Sequence, residues 1–429
     1  MRVDRQDVLI VGAGPTGLAL SHAYPGGARI LEASDEVGGL CRSITFGGGV
    51  FDIGGHSFHS PHPEVMSLVE GLMAGRWNAQ RRDARVFFSG ELIAYPFQQH
   101  FGQLSDVAIV EACRRSPGDM AAAAAAGDFE TWIGARFGEG VARHFMLPYN
   151  RKIWARDLKR MSCEWVQERI AGAETPSNEA RRQPLQSQSQ IGYPAEGGFG
   201  AIFEALAARC GPIEMGQAVC AIEPVAKVAR TASGQTWAYD RLVSTMPLPV
   251  LLRMVEGCPA ALIADADRLE FVSLKVLLIL VAAPLGDQPQ RVYVADPAIP
   301  PHKVAFNHTS SPSLRARPVH AIMCEISYSP EKPAQSDEAL TAATVDWLAD
   351  AGLIGSTAEV AETRVLDVRL GYPVYTHDRP AILERIRAWL APLDIHTIGR
   401  FGGWDYVNSD ACIWQGRQLA AQLAVSRRV

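Results

Sequence analysis

The stretch VLIVGAGPTGLAL (residues 8–20) decides the fold. An apolar run leads directly into the glycine-rich turn GAGPTG (residues 12–17), and more apolar residues follow it. This order predicts a buried strand, a tight turn and the start of a helix. Gly12 permits the turn, Gly14 lets the backbone approach a pyrophosphate, and Gly17 allows the helix and strand to pack closely. The N-terminus of the helix then presents unpaired N–H groups and a positive dipole end to phosphates.

A second hydrophobic segment, Ala28–Leu31, ends in Glu32. A carboxylate at the end of the second strand can accept hydrogen bonds from a ribose diol. The strand, glycine turn, helix, strand and acid together predict a dinucleotide-binding fold. The alternative is a tight turn in an α/β domain that binds no nucleotide.

The residues after Glu32 select the dinucleotide. The segment ASDEVGGLCRS (residues 33–43) contains a Gly-Gly pair followed by Arg42. It resembles the second signature of FAD-dependent oxidoreductases of the amine-oxidase type. In that family the Gly-Gly turn and the arginine hold the FAD pyrophosphate from the far side, an element that an NAD-dependent dehydrogenase does not need. The resemblance implies that FAD, not NAD, is the resident cofactor.

Composition narrows the class of protein. The 429 residues are 48% hydrophobic and 20% charged, and the formal net charge is −5. This balance is ordinary for a globular protein and carries no basic excess, so we expect no nucleic-acid partner. Eight cysteines without a C-x-x-C pair favour a reducing, cytoplasmic location. The first strand begins so early that we expect no signal peptide, and no segment reaches the roughly 18 apolar residues of a membrane span.

The chain is long enough for two or three domains. We predict an α/β fold with a discontinuous Rossmann-like FAD-binding domain, a helical domain and a mixed β-sheet substrate domain. The predicted boundaries are 1–60 (first FAD-binding part), 61–190 (mainly helical substrate and nucleotide domain), 191–265 (second FAD-binding part), 266–365 (β-sheet substrate domain) and 366–429 (third FAD-binding part).

Further segments, in order along nearly the whole chain, resemble the UDP-galactopyranose mutases, and the eukaryotic-type branch most of all. The matching segments are Gly54–His59, Tyr95–Gln98, Pro148–Ala155, Trp165–Ile170, Tyr193–Gly200, Val243–Met246, Gly371–Val374 and Gly399–Trp404 with Tyr406 and Asn408. The two glycine signatures occur throughout the superfamily, whereas the other elements are much narrower.

The resemblance implies a nucleotide-sugar pyranose–furanose mutase that uses reduced FAD without net oxidation. In that family N5 of the flavin bonds covalently to the anomeric carbon of the sugar and expels the nucleoside diphosphate. The sugar opens, recloses with a smaller ring and recovers its nucleotide. NAD(P)H is a candidate reductant, and a homo-oligomer is a candidate assembly.

The family's functional positions map onto named residues of this chain. The implied FAD-binding residues are Gly12, Gly14, Pro15, Thr16, Gly17, Glu32, Ala33, Gly39, Leu40, Arg42, Gly54, Gly55, His56, Arg400 and Gly402. The implied catalytic residues are His56, Arg169, Lys303, Tyr372, Tyr406 and Asn408. The implied substrate-binding residues are Arg85, Tyr95, Gln98, Asn150, Trp154, Arg169, Tyr293, Lys303, Tyr372, Tyr406 and Asn408.

Two departures from the family pattern concern the diphosphate. Lys303 stands where the mutases have a second arginine, which keeps the charge but loses the forked pair of donors. No tyrosine occurs in residues 306–312, where His308 or Ser310 is a candidate replacement. These departures leave strict UDP-galactose specificity open and fit a relative that acts on another nucleotide sugar or that carries out another flavin reaction on a related ligand.

Other readings stay open beside the mutase. One is an FAD-dependent oxidase or dehydrogenase of the amine-oxidase superfamily acting on an amine or a biosynthetic intermediate. Another is a flavin-binding or sugar-nucleotide-binding protein without turnover. His56, His59 and His62 have a spacing that suggests a metal site, but neighbouring glycines and prolines favour a loop near FAD. We therefore expect no metal.

Overall fold

The structure is a computed structural model that describes residues 5–163, 165–166 and 190–426. Its strands, in chain order, are β1 (Arg5–Val11), β2 (Ala28–Leu31), β3 (Ser43–Phe46), β4 (Gly49–Asp52), β5 (Trp77–Arg81), β6 (Ala84–Phe88), β7 (Glu91–Ala94), β8 (Gln190–Pro194), β9 (Ile213–Glu214), β10 (Val219–Glu223), β11 (Val228–Thr231), β12 (Thr236–Ser244), β13 (Phe271–Val281), β14 (Arg291–Val294), β15 (Lys303–Phe306), β16 (His320–Tyr328), β17 (Val360–Pro373) and β18 (Ile395–Thr397).

The α-helices of the same residues follow the same numbering. They are α1 (Pro15–Ala23), α2 (Pro63–Leu72), α3 (Phe97–His100), α4 (Val107–Arg115), α5 (Met120–Ala124), α6 (Phe129–Val141), α7 (Leu147–Trp154), α8 (Ala201–Ala207), α9 (Leu248–Met254), α10 (Ala260–Asp267), α11 (Pro312–Arg315), α12 (Asp337–Asp350), α13 (Arg379–Leu390), α14 (Gly399–Gly402) and α15 (Ser409–Ser426).

The first sheet is built around β1. Its strand order is β10-β11-β12-β1-β2-β9, with β18 beside β12, and β1 runs parallel to both β2 and β12. Val8 and Ile10 of β1 pack into one apolar core, whereas Leu9 and Val11 pack into another on the opposite face. Burial on both faces explains why β1 reads as a continuous apolar run and not as an alternating one.

The glycine turn joins β1 to α1 and needs glycine for two different reasons. Gly12 has φ +105°, a conformation that side-chain-bearing residues rarely adopt. A Cβ on Gly17 would lie 2.0 Å from the carbonyl oxygen of Gly12. The turn therefore brings the N-terminus of α1 directly behind the end of β1.

The second sheet has the order β17-β13-β16-β15-β14-β6-β7. Neighbouring strands are antiparallel except for the parallel pair β14 and β6. Tyr293, Lys303 and Glu325 lie opposite one another on β14, β15 and β16. Residues directly opposite across adjacent strands project to the same face, so these three form a row on one side of the sheet.

A loop after β4 connects the two sheets. A Cβ on Gly55 would lie 2.7 Å from Cβ of Ala305 and 2.7 Å from Nε of Arg291, so this loop rests on the second sheet. Helices α3 to α7 pack against the same sheet in a shared apolar core.

The predicted α/β class is confirmed. Strands of the first sheet come from three separate stretches of the chain, whereas the domain boundaries themselves stay a prediction. In the described part of the chain, no helix combines the length and apolarity that crossing a bilayer requires.

Candidate functional site

A cavity of about 1190 Å³ runs from the glycine turn of the first sheet to the row of polar residues on the second. Pockets for a single small ligand usually measure about 300–1,000 Å³. The cavity is larger, so it has room for a dinucleotide together with a second ligand. Its walls include Gly14 and Glu32 in one part, and His56, Tyr293 and Lys303 in another.

The turn of β1 is fixed to the acid at the end of β2. The Ala13 N–H donates to Oε2 of Glu32 at 2.6 Å, and the other carboxylate oxygen accepts from the N–H and hydroxyl of Ser34. A carboxylate has about four acceptor positions, so a ribose hydroxyl can still donate to Glu32.

The cavity wall beside Gly14 matches the shape of a dinucleotide site. A Cβ on Gly14 would meet no protein atom within 4 Å, although the residue has an ordinary φ of −75°. The space that a side chain would fill therefore belongs to the cavity. The N-termini of α1 and α15 both border it, since Thr16 and Ser409 are among its lining residues. Two helix N-termini facing one space suit a pyrophosphate.

A buried nitrogen in the wall also fits a bound flavin. Nδ1 of His56 is buried and has no hydrogen-bond partner among the described residues. Burial lowers the pKa of His56 to about 3, with Lys303 contributing, so the ring is neutral at pH 7. The ring stacks on Phe199 at 4.8 Å, which fixes its plane. A neutral, oriented imidazole with a free nitrogen can hydrogen-bond to a ring nitrogen or carbonyl of a flavin.

Most of the residues predicted from the sequence line this cavity. They are Gly12, Gly14, Pro15, Thr16, Glu32, Ala33, Gly39, Leu40, Arg42, Gly55, His56, Tyr95, Gln98, Asn150, Trp154, Tyr293, Lys303, Tyr372, Arg400, Tyr406 and Asn408. Their cofactor, substrate and catalytic roles stay predictions. Arg169 lies outside the described residues.

Three of the predicted FAD-binding glycines lie beside the cavity wall and not in it. Gly17 packs on the glycine turn, and a Cβ on Gly402 would lie 2.7 Å from the carbonyl oxygen of Ser244. A Cβ on Gly54 would lie 2.6 Å from Oε1 of Glu325. Each therefore allows a close approach that a side chain would block.

Arg85 needs a correction. It does not border the cavity; its Nε pairs with Asp83 at 2.8 Å, and its side chain is 43% exposed. The nearby Arg82 lines the cavity instead and donates from Nη2 to the Tyr293 hydroxyl at 2.8 Å. The two arginines are three residues apart at the entry to β6, where sequence spacing alone did not select the inward one.

Arg82 belongs to a cluster with three tyrosines. Its guanidinium lies 5.5 Å from the centre of the Tyr95 ring, and that ring stacks on Tyr293 at 4.6 Å. Tyr149 meets Tyr293 edge-on at 6.1 Å. Burial alone would raise the pKa of Tyr293, but Arg82 and Lys303 lower it. This part of the wall is therefore a cationic surface with phenol donors.

A second arginine is buried beneath the loop after β4. Arg291 is 5% exposed and donates from Nη1 to the backbone oxygen of Gln290, while Nη2 donates to the carbonyl of His56. Neither Arg291 nor Arg82 forms an ion pair with a carboxylate among residues 5–163, 165–166 and 190–426. Arg291 is buried and Arg82 is partly buried, and a cation held out of water without a carboxylate is costly, so the pair indicates an anionic ligand.

Lys303, in contrast, has a carboxylate partner. Its Nζ lies 2.6 Å from Oε1 of Glu325, which is buried. The same carboxylate accepts from the Gly55 N–H at 2.8 Å and from the Tyr372 hydroxyl at 2.6 Å. Burial alone would raise the pKa of Glu325, but Lys303 and His302 hold it well below the usual value. Glu325 is therefore ionised at neutral pH.

Polar and aromatic residues line the wall formed by the helical segment. Asn150 and Trp154 share one face of α7, as their spacing predicts, and both border the cavity with Gln98. The Asn150 amide donates to the backbone oxygen of Met146 at 2.8 Å, which leaves its own oxygen available. Trp154 meets Tyr406 edge-on at 5.5 Å. This wall suits a planar base with amide edges.

The candidate replacements for the missing tyrosine do not reach the cavity. His308 stacks on His320 at 4.3 Å, and the backbone oxygen of Ser310 accepts from Asn78. Neither residue borders the cavity. Tyr149, on α7, provides an additional phenol in the wall instead.

Three charged residues of the site were missed from the sequence. Glu325 interrupts the apolar sequence of β16, and a charge in such a strand signals a paired or functional group. That signal could have found Glu325, whereas Arg291 opens β14 directly after the polar segment DQPQ (residues 287–290) and gives no such signal. Arg82 follows another arginine in a polar segment, and nothing local distinguishes it.

Comparison with known proteins gives the family. The model of the flavin-containing amine oxidoreductases matches residues 20–349, more than half of the chain. The chain therefore belongs to the flavin-containing amine oxidoreductase family, and its cofactor is FAD.

Individual relatives carry different names. A crystal structure of reduced UDP-galactopyranose mutase superimposes with a TM-score of 0.87 at 26% identity, covering 99% of this chain and 95% of that one. Coproporphyrinogen III oxidase of Mycobacterium bovis is 24% identical over 94% of each chain. Putrescine oxidase of Kocuria rosea is 29% identical over 109 residues, and the match spans only 25% of this chain and 23% of that enzyme.

Proposed function

We propose that the chain is a flavin-dependent nucleotide-sugar pyranose–furanose mutase, similar to UDP-galactopyranose mutase. The observation that carries the proposal is the pair of arginines without carboxylate partners, Arg82 and Arg291, in a cavity continuous with the FAD site. A diphosphate provides the negative charge that these guanidinium groups lack. The similarity to a reduced mutase structure over nearly the whole chain supports the same reading.

The remaining walls fit the other parts of a nucleotide sugar. Gln98 and Asn150 offer amide groups to a base, and Trp154 offers a ring against which it can pack. Tyr372 and Tyr406, whose rings meet edge-on at 5.1 Å, lie beside Lys303 and suit sugar hydroxyls. Burial raises the pKa of Tyr372 well above its usual value, so its hydroxyl stays protonated.

Bound and reduced, FAD supplies the nucleophilic N5 that such a rearrangement requires. The chain's own residues then hold and orient the nucleotide sugar. Arg82 and Arg291 stabilise the charge that grows on the departing diphosphate. His56 stays neutral and adds no competing charge beside the flavin. The phenols hold the sugar while its nucleotide is detached.

The test is an anaerobic incubation of the dithionite-reduced protein with UDP-galactopyranose and with UDP-galactofuranose, followed by chromatography. We expect interconversion in both directions, with none by the oxidised protein. A panel of sister nucleotide sugars extends the test if the sugar differs. Absence of interconversion across the panel, with FAD bound and reduced, contradicts the proposal.

A second candidate is an oxidase of an anionic biosynthetic intermediate. The coproporphyrinogen III oxidases of mycobacteria align with 94% of this chain, which favours it. The part of the cavity wall that carries Arg82, Arg291 and Lys303 is here called the inner wall. An amine substrate fits less well there, because an amine is a cation and these three residues are cations too. Oxygen consumption that depends on substrate but not on a nucleotide would favour the oxidase and contradict the mutase.

A further inference from the structure

The row of residues across the second sheet ends in a carboxylate that does not itself line the cavity. Glu325 is 3% exposed and lies behind the wall, but four of its contacts border the cavity. They are Gly55, His302, Lys303 and Tyr372. A single buried side chain thus touches both the loop that carries His56 and the groups on the ligand side.

The two carboxylate oxygens divide these contacts. Oε1 accepts from the Gly55 N–H at 2.8 Å and lies 2.6 Å from Nζ of Lys303. Oε2 accepts from the Tyr372 hydroxyl at 2.6 Å and lies 3.7 Å from Nε2 of His302. The carboxylate therefore links the loop that carries His56 to Lys303, Tyr372 and His302.

The loop is shaped to admit this contact. Gly54 has φ +89°, and a Cβ there would lie 2.6 Å from Oε1 of Glu325. Only glycine combines that backbone with so close an approach. Gly54, the first residue of the Gly-Gly pair before His56, thus makes room for a carboxylate behind the loop.

The Glu325 carboxylate also determines the net charge of the inner wall. With Glu325 in place, Lys303 forms a buried ion pair, and the excess positive charge of the inner wall rests on Arg82 and Arg291. Without it, Lys303 would add an uncompensated charge. Buried charges interact strongly over several ångströms because screening is weak there.

We propose that Glu325 is a positioning residue that couples the loop carrying His56 to Lys303 and Tyr372 and sets the charge of the inner wall. It acts through these neighbours and touches neither FAD nor ligand. The inference rests on bound FAD and not on the mutase activity, because its first readout is a property of the flavin.

Three variants of the full-length holoprotein test it: Glu325→Gln, Lys303→Met and the double variant. An added positive charge beside a flavin favours its anionic reduced form. We therefore expect Glu325→Gln to raise the flavin midpoint potential and Lys303→Met to lower it. The double variant removes both charges and should return the potential close to that of the unmodified protein. Glu362→Gln, which removes a carboxylate of β17 that pairs with Arg364 and does not border the cavity, is the matched control and should change neither the potential nor UDP binding.

Binding of UDP, measured by calorimetry on the oxidised holoprotein, is the second readout. We expect Glu325→Gln to bind UDP about tenfold more tightly and Lys303→Met about tenfold more weakly, because one elementary charge is added or removed. Opposite shifts in potential support the coupling even if UDP does not bind, an outcome that contradicts the proposed function alone.

A merely structural role gives a different pattern. Both single variants would then lose FAD or thermal stability while the potential of the remaining holoprotein stayed unchanged, and this result overturns the proposal. If Glu325→Gln does not retain FAD, the double variant decides. Recovery of FAD binding in the double variant supports coupling through Lys303, whereas failure to recover it overturns the proposal.

Discussion

The sharpest prediction concerns Arg82, which sequence reasoning passed over in favour of Arg85. Replacing Arg82 with methionine removes the guanidinium but keeps most of the side-chain volume. The hydrogen bond to the Tyr293 hydroxyl at 2.8 Å is lost, and so is one of the cations of the inner wall. A diphosphate bound there would lose a charge-assisted partner.

The magnitude follows from burial. Truncating one partner of a buried, hydrogen-bonded charge pair costs about 2–5 kcal/mol. Arg82 is only partly buried, so we take the lower end, about 2 kcal/mol, or roughly thirtyfold in the dissociation constant of UDP. Stability without ligand should hardly change, because the lost hydrogen bond is offset by relief from desolvating a charge.

The matched control is Arg85→Ala. That side chain is 43% exposed and pairs only with Asp83 in the described structure, an interaction worth about 0–1 kcal/mol. Calorimetric titration of the oxidised holoprotein with UDP compares the two variants. Equal loss of affinity in both, or loss in Arg85→Ala alone, would refute the assignment of the inward arginine.

Further outcomes follow from the same geometry. Gly12→Ala should prevent folding of the FAD site, because Gly12 has a φ of +105° and the new Cβ would lie 2.3 Å from Oγ1 of Thr245. Gly14→Ala should fold normally and lose only FAD, because its Cβ meets no protein atom within 4 Å. Circular dichroism measures folding and flavin absorbance measures FAD binding, so together they separate the two effects. Tyr372→Phe should lower the free energy of unfolding by about 2 kcal/mol in urea titrations, because it removes the hydroxyl that donates to the ionised Glu325. An unchanged free energy of unfolding would mean that this hydrogen bond contributes nothing to stability. Acid should destabilise the protein below about pH 6.5, because burial lowers the pKa of His56 to about 3 and that of His302 to about 4. Between these values and the pKa of about 6.5 in the unfolded chain, the unfolded chain binds more protons than the folded protein. The free energy of unfolding therefore falls by about 1.4 kcal/mol for each histidine with every pH unit of acidification. Substitution of His302 by glutamine should flatten that pH profile, and an unaltered slope would contradict the attribution.

The first sheet could be predicted from sequence because local chemistry determines it. Gly12 and Gly17 are required by backbone geometry and by contacts close in the chain. The apolar run of β1 likewise reports burial on both faces. Such features leave a signature within a few residues, so the α/β class and the FAD cradle followed from short motifs.

The inner wall could be predicted only in part, because its partners are distant in sequence. Glu325 accepts a hydrogen bond from the Gly55 N–H, 270 residues away in the sequence, and neutralises Lys303 from the adjacent strand. A resemblance predicted Lys303 as a diphosphate ligand but gave no sign that a carboxylate neutralises it. Arg82 precedes β6 and borders the cavity, whereas Arg85 lies within β6 and does not, and the local sequence carries no sign of this difference.

A crystal structure of the protein with FAD and UDP would show whether a nucleoside diphosphate binds beside the flavin. We predict that the diphosphate lies in the same cavity as the flavin, with its oxygens within hydrogen-bond distance of Arg82, and that the uracil base lies between Gln98 and Trp154. UDP bound outside this cavity, or a cavity filled by FAD alone at saturating UDP, would contradict it.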